Sequence, residues 1–223
     1  GQIWRSINDP APRRVEFNNY EFVAYQPGTT VYFARTDIKP GLKKPEDFGR
    51  AEGVVSGGLG VDNAKDLLLR LGLDMLGLKY KYVTSYRGSQ AARLALQQNE
   101  INYYAESPPS YRSTIEPTLV KTGEVIPLFY DPGYDGETFR TPRQMEGVDM
   151  MPPAVPKEAK EALTKAIQAL EKDADYAADA ERTLGYVPDF VTGDQVNERV
   201  RKQLALPTGT REFLADYVKK APR

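Results

Sequence analysis

The chain has 223 residues, 40% hydrophobic and 27% charged, with a net charge of −1. That is an ordinary globular composition for one or two domains, and no charge excess steers it to nucleic acid or an anionic membrane surface. His and Cys are absent, which excludes within the chain zinc sites, cysteine nucleophiles, Ser-His-Asp triads and histidine proton shuttles. Lack of Cys suits an oxidising compartment such as the periplasm. No apolar run approaches the ~20 residues that span a bilayer. The opening GQIWRSINDPAPRR, neither an initiator methionine nor a charged leader, reads as a piece of a longer protein.

Residues 1–20 are polar and Pro-containing, and read as extended. Two β-rich runs follow, Phe22 to Tyr25 and Thr30 to Ala34, with Pro27-Gly28 between them. KKPEDF reads as a short helical turn and GVVS (Gly53 to Ser56) as a buried strand. From Asp62 to Leu71, Ala64, Leu67, Leu68 and Leu71 recur at helical spacing, with Gly72 as a C-terminal stop. LKYKYVT (Leu78 to Thr84) alternates as a strand does. SQAARLALQQ reads as a helix capped by Ser89, INYYA (Ile101 to Ala105) as a strand, Pro109 to Val120 as a helix, and VIPLFY as a strand. Residues 53–130 thus alternate strand and helix, which argues for a mostly parallel sheet with helices on its faces. Asp131 to Pro156, rich in Pro and Gly, reads as a loop or hinge. Helices are expected at Lys157 to Glu171, 174–184, 193–203 and Arg211 to Lys219.

SGGLGVDNAKDLLLRLGL (Ser56 to Leu73) places a Gly-rich turn between a strand and a helix. The first N–H groups of a helix lack intrahelical partners and sit at its positive end, so such a turn suits an anion. The stretch lacks the Gly-Lys-Ser/Thr ending of a phosphate-binding P-loop, and Asn63 breaks the dinucleotide fingerprint. SYRGSQAARLAL repeats the strand–turn–helix order with Gly88 and Ser89, and AESPPSYRS follows the next strand. In an open α/β sheet these loops lie on one edge and can share a crevice. The plainer readings are a tight turn that binds nothing, Ser89 as a simple cap, Asp62 capping its own helix, and Arg87 as a solvated charge.

The ordered set VVSGGLGVDNAKDLL, VTSYRGSQAARLALQQ and NEINYYAES resembles the Bug-type (TctC-like) solute-binding proteins of tripartite tricarboxylate transporters. EFNNYEFVAYQPGTTVYFARTD resembles their crossing segment, GEVIPLFYD the returning strand, and the stretch from MMPPAVPKEAKEAL to PDFVTGDQV their C-terminal part. The resemblance spans roughly residues 17–205. Departures are Asn102 for the usual Asp, Glu106 for the usual Gly, and YDGETFRTPRQ where the family carries D-V-P-T. The resemblance implies a type II periplasmic-binding fold, α/β with a mostly parallel sheet, flanking helices and a helical C-terminal portion of the other lobe. It divides the chain into 1–25, a remnant of lobe one and crossover; 26–128, lobe two with the ligand loops; and 129–223, the mainly helical C-terminal portion of lobe one. It also implies that the N-terminal part of lobe one is lacking.

By resemblance the ligand is a small organic carboxylate in an interlobe cleft, the partners are membrane permease subunits, and the location is periplasmic. No cofactor, metal, nucleic acid or direct membrane insertion is implied. Carried over by position, the ligand residues are Ser56, Gly57, Gly58, Gly60, Val61 and Asp62, then Tyr86, Arg87, Gly88 and Ser89, then Glu106 and Ser107. The alternatives are an enzyme on a Rossmann-like sheet, with Asp62 and Glu106 as its acidic pair, and a non-transport sensor or interaction domain using some of the 14 Tyr residues.

Overall fold

The computed structural model describes residues 19–26, 29–130, 147–152 and 155–221. The chain divides into two compact units, and among the described residues the first comprises 30–130 with 208–221 and the second the remainder.

The first unit is built on a five-stranded sheet. Its strands are β2 (Val31–Arg35), β3 (Val54–Gly57), β4 (Tyr80–Val83), β5 (Tyr103–Glu106) and β6 (Val125–Tyr130), in the order β4-β3-β5-β2-β6. β3 pairs in parallel with both β4 and β5, whereas β2 runs antiparallel to its neighbours β5 and β6. Four strands therefore point one way and β2 is the inserted reverse strand. Central β5 is buried at all four positions, as strands covered on both faces are. The core joins Tyr32, Phe33, Leu69, Leu73, Leu96 and Tyr103. Phe48, from the 3-10 helix Pro45–Arg50, stacks on Tyr103 at 5.0 Å between ring centroids.

Helix α1 (Ala64–Met75) follows β3 and α2 (Ser89–Gln97) follows β4. A helical turn, α3 (Pro108–Ser110), follows β5 and continues as a π-helix, Tyr111–Val120, which accommodates Pro117. Pro117 has no N–H to donate and would crowd a regular α-helix. α1 corrects three expectations. Its cap is Asn63, which accepts from the Lys65 N–H at 3.0 Å, not Asp62. Its buried residues are Asp66, Leu67, Leu69, Arg70 and Leu73, so Leu67 is inward as expected while Leu68 is exposed. Apolar spacing misjudged part of that face because two charged residues point inward to partners elsewhere in the first unit. Gly72 lies inside the helix, and the left-handed residue beyond it is Gly77, at φ 68°. At α2, Gly88 (φ 90°) occupies the cap position and Ser89 is the first helical residue.

The second unit is an antiparallel sheet, β7-β1-β8, of β1 (Glu21–Gln26), β7 (Gly147–Met151) and β8 (Val191–Thr192). Helices α4 (Lys157–Leu170), α5 (Ala174–Leu184) and α6 (Asp194–Leu204) accompany it. Val23 and Ala24 of β1 pack with Ile167, Met151 and Phe190. The Asn197 side chain accepts from the Phe22 N–H (3.2 Å) and donates to its carbonyl (3.3 Å), fixing α6 to the strand. β7 falls in the stretch expected as loop, and β8 was not expected; residues 131–146 of that stretch, the Pro27-Gly28 turn and residues 1–18 lie outside the described residues. The chain returns to the first unit with α7 (Thr208–Lys219), a helix expected to belong with the segment before it.

Candidate functional site

Because β3, β4 and β5 are parallel, the loops that follow them share one edge of the first unit's sheet. Hydrogen bonds join these loops. The Gly58 N–H donates to the Val83 carbonyl at 2.8 Å, and the Tyr86 N–H to the Gly58 carbonyl at 3.3 Å. The Ser89 hydroxyl lies beside the Glu106 carboxylate, whose pKa burial raises and this contact helps to lower. The strand-to-helix alternation in the sequence thus brings Gly58, Tyr86, Ser89 and Glu106 together.

The first loop is held from inside by α1. Asp66, fully buried, accepts at Oδ2 from the Gly60 N–H (2.7 Å) and the Tyr82 hydroxyl (2.8 Å). Burial raises the Asp66 pKa above its ordinary value, against the lowering effect of those bonds. Arg70, also fully buried, donates from Nη2 to the Val61 carbonyl at 2.9 Å. Gly58 is required here, since a Cβ would lie 2.4 Å from Asp66 Oδ2 and 2.6 Å from the Tyr82 hydroxyl oxygen. Ser56, Gly57 and Gly58 are buried, whereas Leu59, Gly60, Val61 and Asp62 are partly exposed. A ligand would therefore meet the loop beyond Gly58.

A compact charge cluster spans the loop ends. Lys65, in the first turn of α1, donates from Nζ to the Tyr104 hydroxyl (2.7 Å) and the Ala105 carbonyl (3.0 Å), and lies 4.1 Å from the Tyr104 ring centre. Burial lowers the Lys65 pKa; the charges of Glu106 and Asp66 oppose that shift. Glu106, 3% exposed, pairs with Arg93 of α2 at 3.2 Å. Burial raises the Glu106 pKa, and Lys65 and Arg93 moderate the rise. Two cations, Lys65 and Arg93, act on the Glu106 carboxylate, and the Asp66 carboxylate also acts on Lys65. Sequence reasoning missed Lys65 and Arg93. Lys65 has the only signal that could have found it, a cation two residues after a helix cap; Arg93 enters through tertiary pairing alone.

Arg87 and Gly88 are exposed, and Tyr86, Ser89 and Ser107 are partly exposed. Ser85, just before them, has φ 75°, a left-handed conformation unusual for Ser. Asn102, where the resembled family carries Asp, binds strands: its Oδ1 accepts from the Val55 N–H (2.7 Å) and its Nδ2 donates to the Gly53 carbonyl (3.0 Å). An aspartate could not make the second bond. A hollow of about 350 Å³ lies at the opposite edge of the sheet, lined by Asp37, Lys39, Glu52, Asn99 and Asn102 among others, with Asp37 paired to Arg35. Among the described residues no cluster of acidic side chains is arranged to hold a metal ion.

No protein-family model matches the sequence, nor does any curated protein. Solved structures do match. The periplasmic binding protein BugD aligns over 98% of this chain and 76% of its own, at 17% identity and TM-score 0.59. A Rhodopseudomonas palustris protein solved with adipate covers 92% of this chain and 70% of its own, at 16% identity and TM-score 0.63. MatC from Rhodopseudomonas palustris, with bound malate, covers 98% and 76%, at 17% identity and TM-score 0.58. The fold is therefore α/β of the type II periplasmic-binding class, in the form found in Bug and TctC solute-binding proteins.

Proposed function

We propose that the chain is an extracytoplasmic solute-binding protein that captures a small organic carboxylate for a tripartite tricarboxylate-type transporter. In this reading 26–128 is lobe two and supplies the ligand loops, the sheet of the second unit belongs to lobe one, and the partners are permease subunits. The ligand carboxylate lies at the C-terminal edge of the five-stranded sheet, against Gly60, Val61 and Asp62, Tyr86 to Ser89, and Glu106 and Ser107. Ser56, Gly57 and Gly58 form the floor beneath. The observation that carries the reading is the convergence of three strand-to-helix loops, with the Lys65 ammonium among them hydrogen-bonded only to neutral oxygens, in the fold of proteins solved with malate and adipate. Helix N-termini and Lys65 together supply the counter-charge. Those similar structures are binding proteins, which favours capture without turnover. Their periplasmic setting is proposed here also; no described helix is long and apolar enough to cross a membrane.

A thermal-shift screen against mono-, di- and tricarboxylic acids, with nucleotides as controls, tests the proposal, because a ligand bound only by the folded state raises the melting temperature. A shift with one class of acid is expected. A shift with nucleotides and none with acids would overturn the reading.

A further inference from the structure

The described residues leave one buried cation without a carboxylate partner. Arg70 is 0% exposed; its Nη2 holds the Val61 carbonyl, while Nε and Nη1 have no hydrogen-bond partner. Its guanidinium lies between two aromatic rings, 5.0 Å from the centre of Tyr82 and 4.9 Å from that of Tyr217. Tyr82 belongs to β4. Tyr217 belongs to α7, near the end of the chain. The Tyr217 hydroxyl donates to the Asp74 carboxylate at the end of α1, with the Tyr80 hydroxyl close by. A guanidinium between ring faces is held in place by the electron-rich faces of both. Removing one ring exposes a buried charge to water and frees the side chain that grips the glycine loop.

We propose that α7 is a positioning element of the first ligand loop. Tyr217 clamps Arg70 against Tyr82, and Arg70 holds Val61, so loop geometry depends on the docking of a helix more than 140 residues downstream, the separation of Tyr217 and Asp74 being 143. Asp66 holds the same loop at Gly60, four residues earlier on the same helix face. Tyr217 is thus a positioning residue that touches no ligand. The part of this proposal that concerns affinity rests on the carboxylate-binding reading; the part that concerns the loop does not.

The test is amide hydrogen exchange on the ligand-free full chain for the wild type, Tyr217→Ala and Tyr217→Phe. The amides to follow are Gly60, bonded to Asp66, and Asn63, bonded to the Gly60 carbonyl at 2.9 Å. With Tyr217→Ala, exchange at Gly60 and Asn63 accelerates at least about tenfold, while the β5 amides keep their rates. Tyr217→Phe retains the ring and restores near-wild-type protection. Unchanged exchange at Gly60 and Asn63 in Tyr217→Ala overturns the proposal, and so does an equal acceleration in β5, which would mark global destabilisation. Titration of wild type and Tyr217→Ala with malate forms a second arm. A weakened affinity extends the proposal to ligand capture. If the wild type binds no carboxylate, the functional reading fails while the exchange result still decides the role of α7.

Discussion

Lys65 places a positive charge where three loops meet, and its two hydrogen bonds go to neutral oxygens. Hydrogen bonds to charged groups are worth about 1.5–3 kcal/mol each. Lys65→Met should therefore weaken carboxylate binding about tenfold or more by calorimetry, with partial recovery in Lys65→Arg; equal affinity in wild type and Lys65→Met would remove Lys65 from the site. Gly58→Ala drives a methyl group into Asp66 and Tyr82. The expected loss is about 1–3 kcal/mol of unfolding free energy, the usual cost of overpacking, read from urea denaturation. Asp66 gives a pH signature. Its folded pKa is raised, so as pH rises from about 4 the unfolded chain loses this proton first and the native state binds more protons. Stability then falls with rising pH until the folded group has also ionised. Asp66→Asn keeps an oxygen to accept from Gly60 and abolishes that titration. Its urea midpoint should gain on that of the wild type between pH 4 and pH 7, and a constant gap would contradict the assignment.

At the scale of elements, α1 supports the first loop of the candidate site. Asn63 caps it, Lys65 reaches β5, and Asp66 and Arg70 hold the preceding loop. Asn63→Ala should cost about 1 kcal/mol, and an unchanged denaturation midpoint would show the cap to be replaceable. Much of this element order was legible in the sequence. The strand–helix alternation of 53–130 and the glycines at its turns are local signals, and they survive in β3, α1, β4, α2 and β5. What depends on distant partners was not legible. The inward face of α1 holds Asp66 and Arg70 because Tyr82, Gly60 and Tyr217 meet them there. β7 and β8 exist because β1 offers both of its edges for pairing, and neither has a strong local pattern. Ser89 looked like a cap, yet the turn at Gly88 needs a positive φ and takes the cap position itself.

At the scale of the molecule, the first unit has a single reverse strand, β2, inserted into an otherwise co-directed sheet, so the loops after β3, β4 and β5 share an edge. The central claim is that a carboxylate binds at that edge. The most direct measurement is a residue-resolved NMR titration of the labelled chain with malate. The account predicts amide shift changes at Gly60 to Asn63, Tyr86 to Ser89 and Glu106 to Ser107. Changes confined to the opposite edge, around Glu52, Gly53, Asn99 and Asn102, or no saturable change at all, would contradict it.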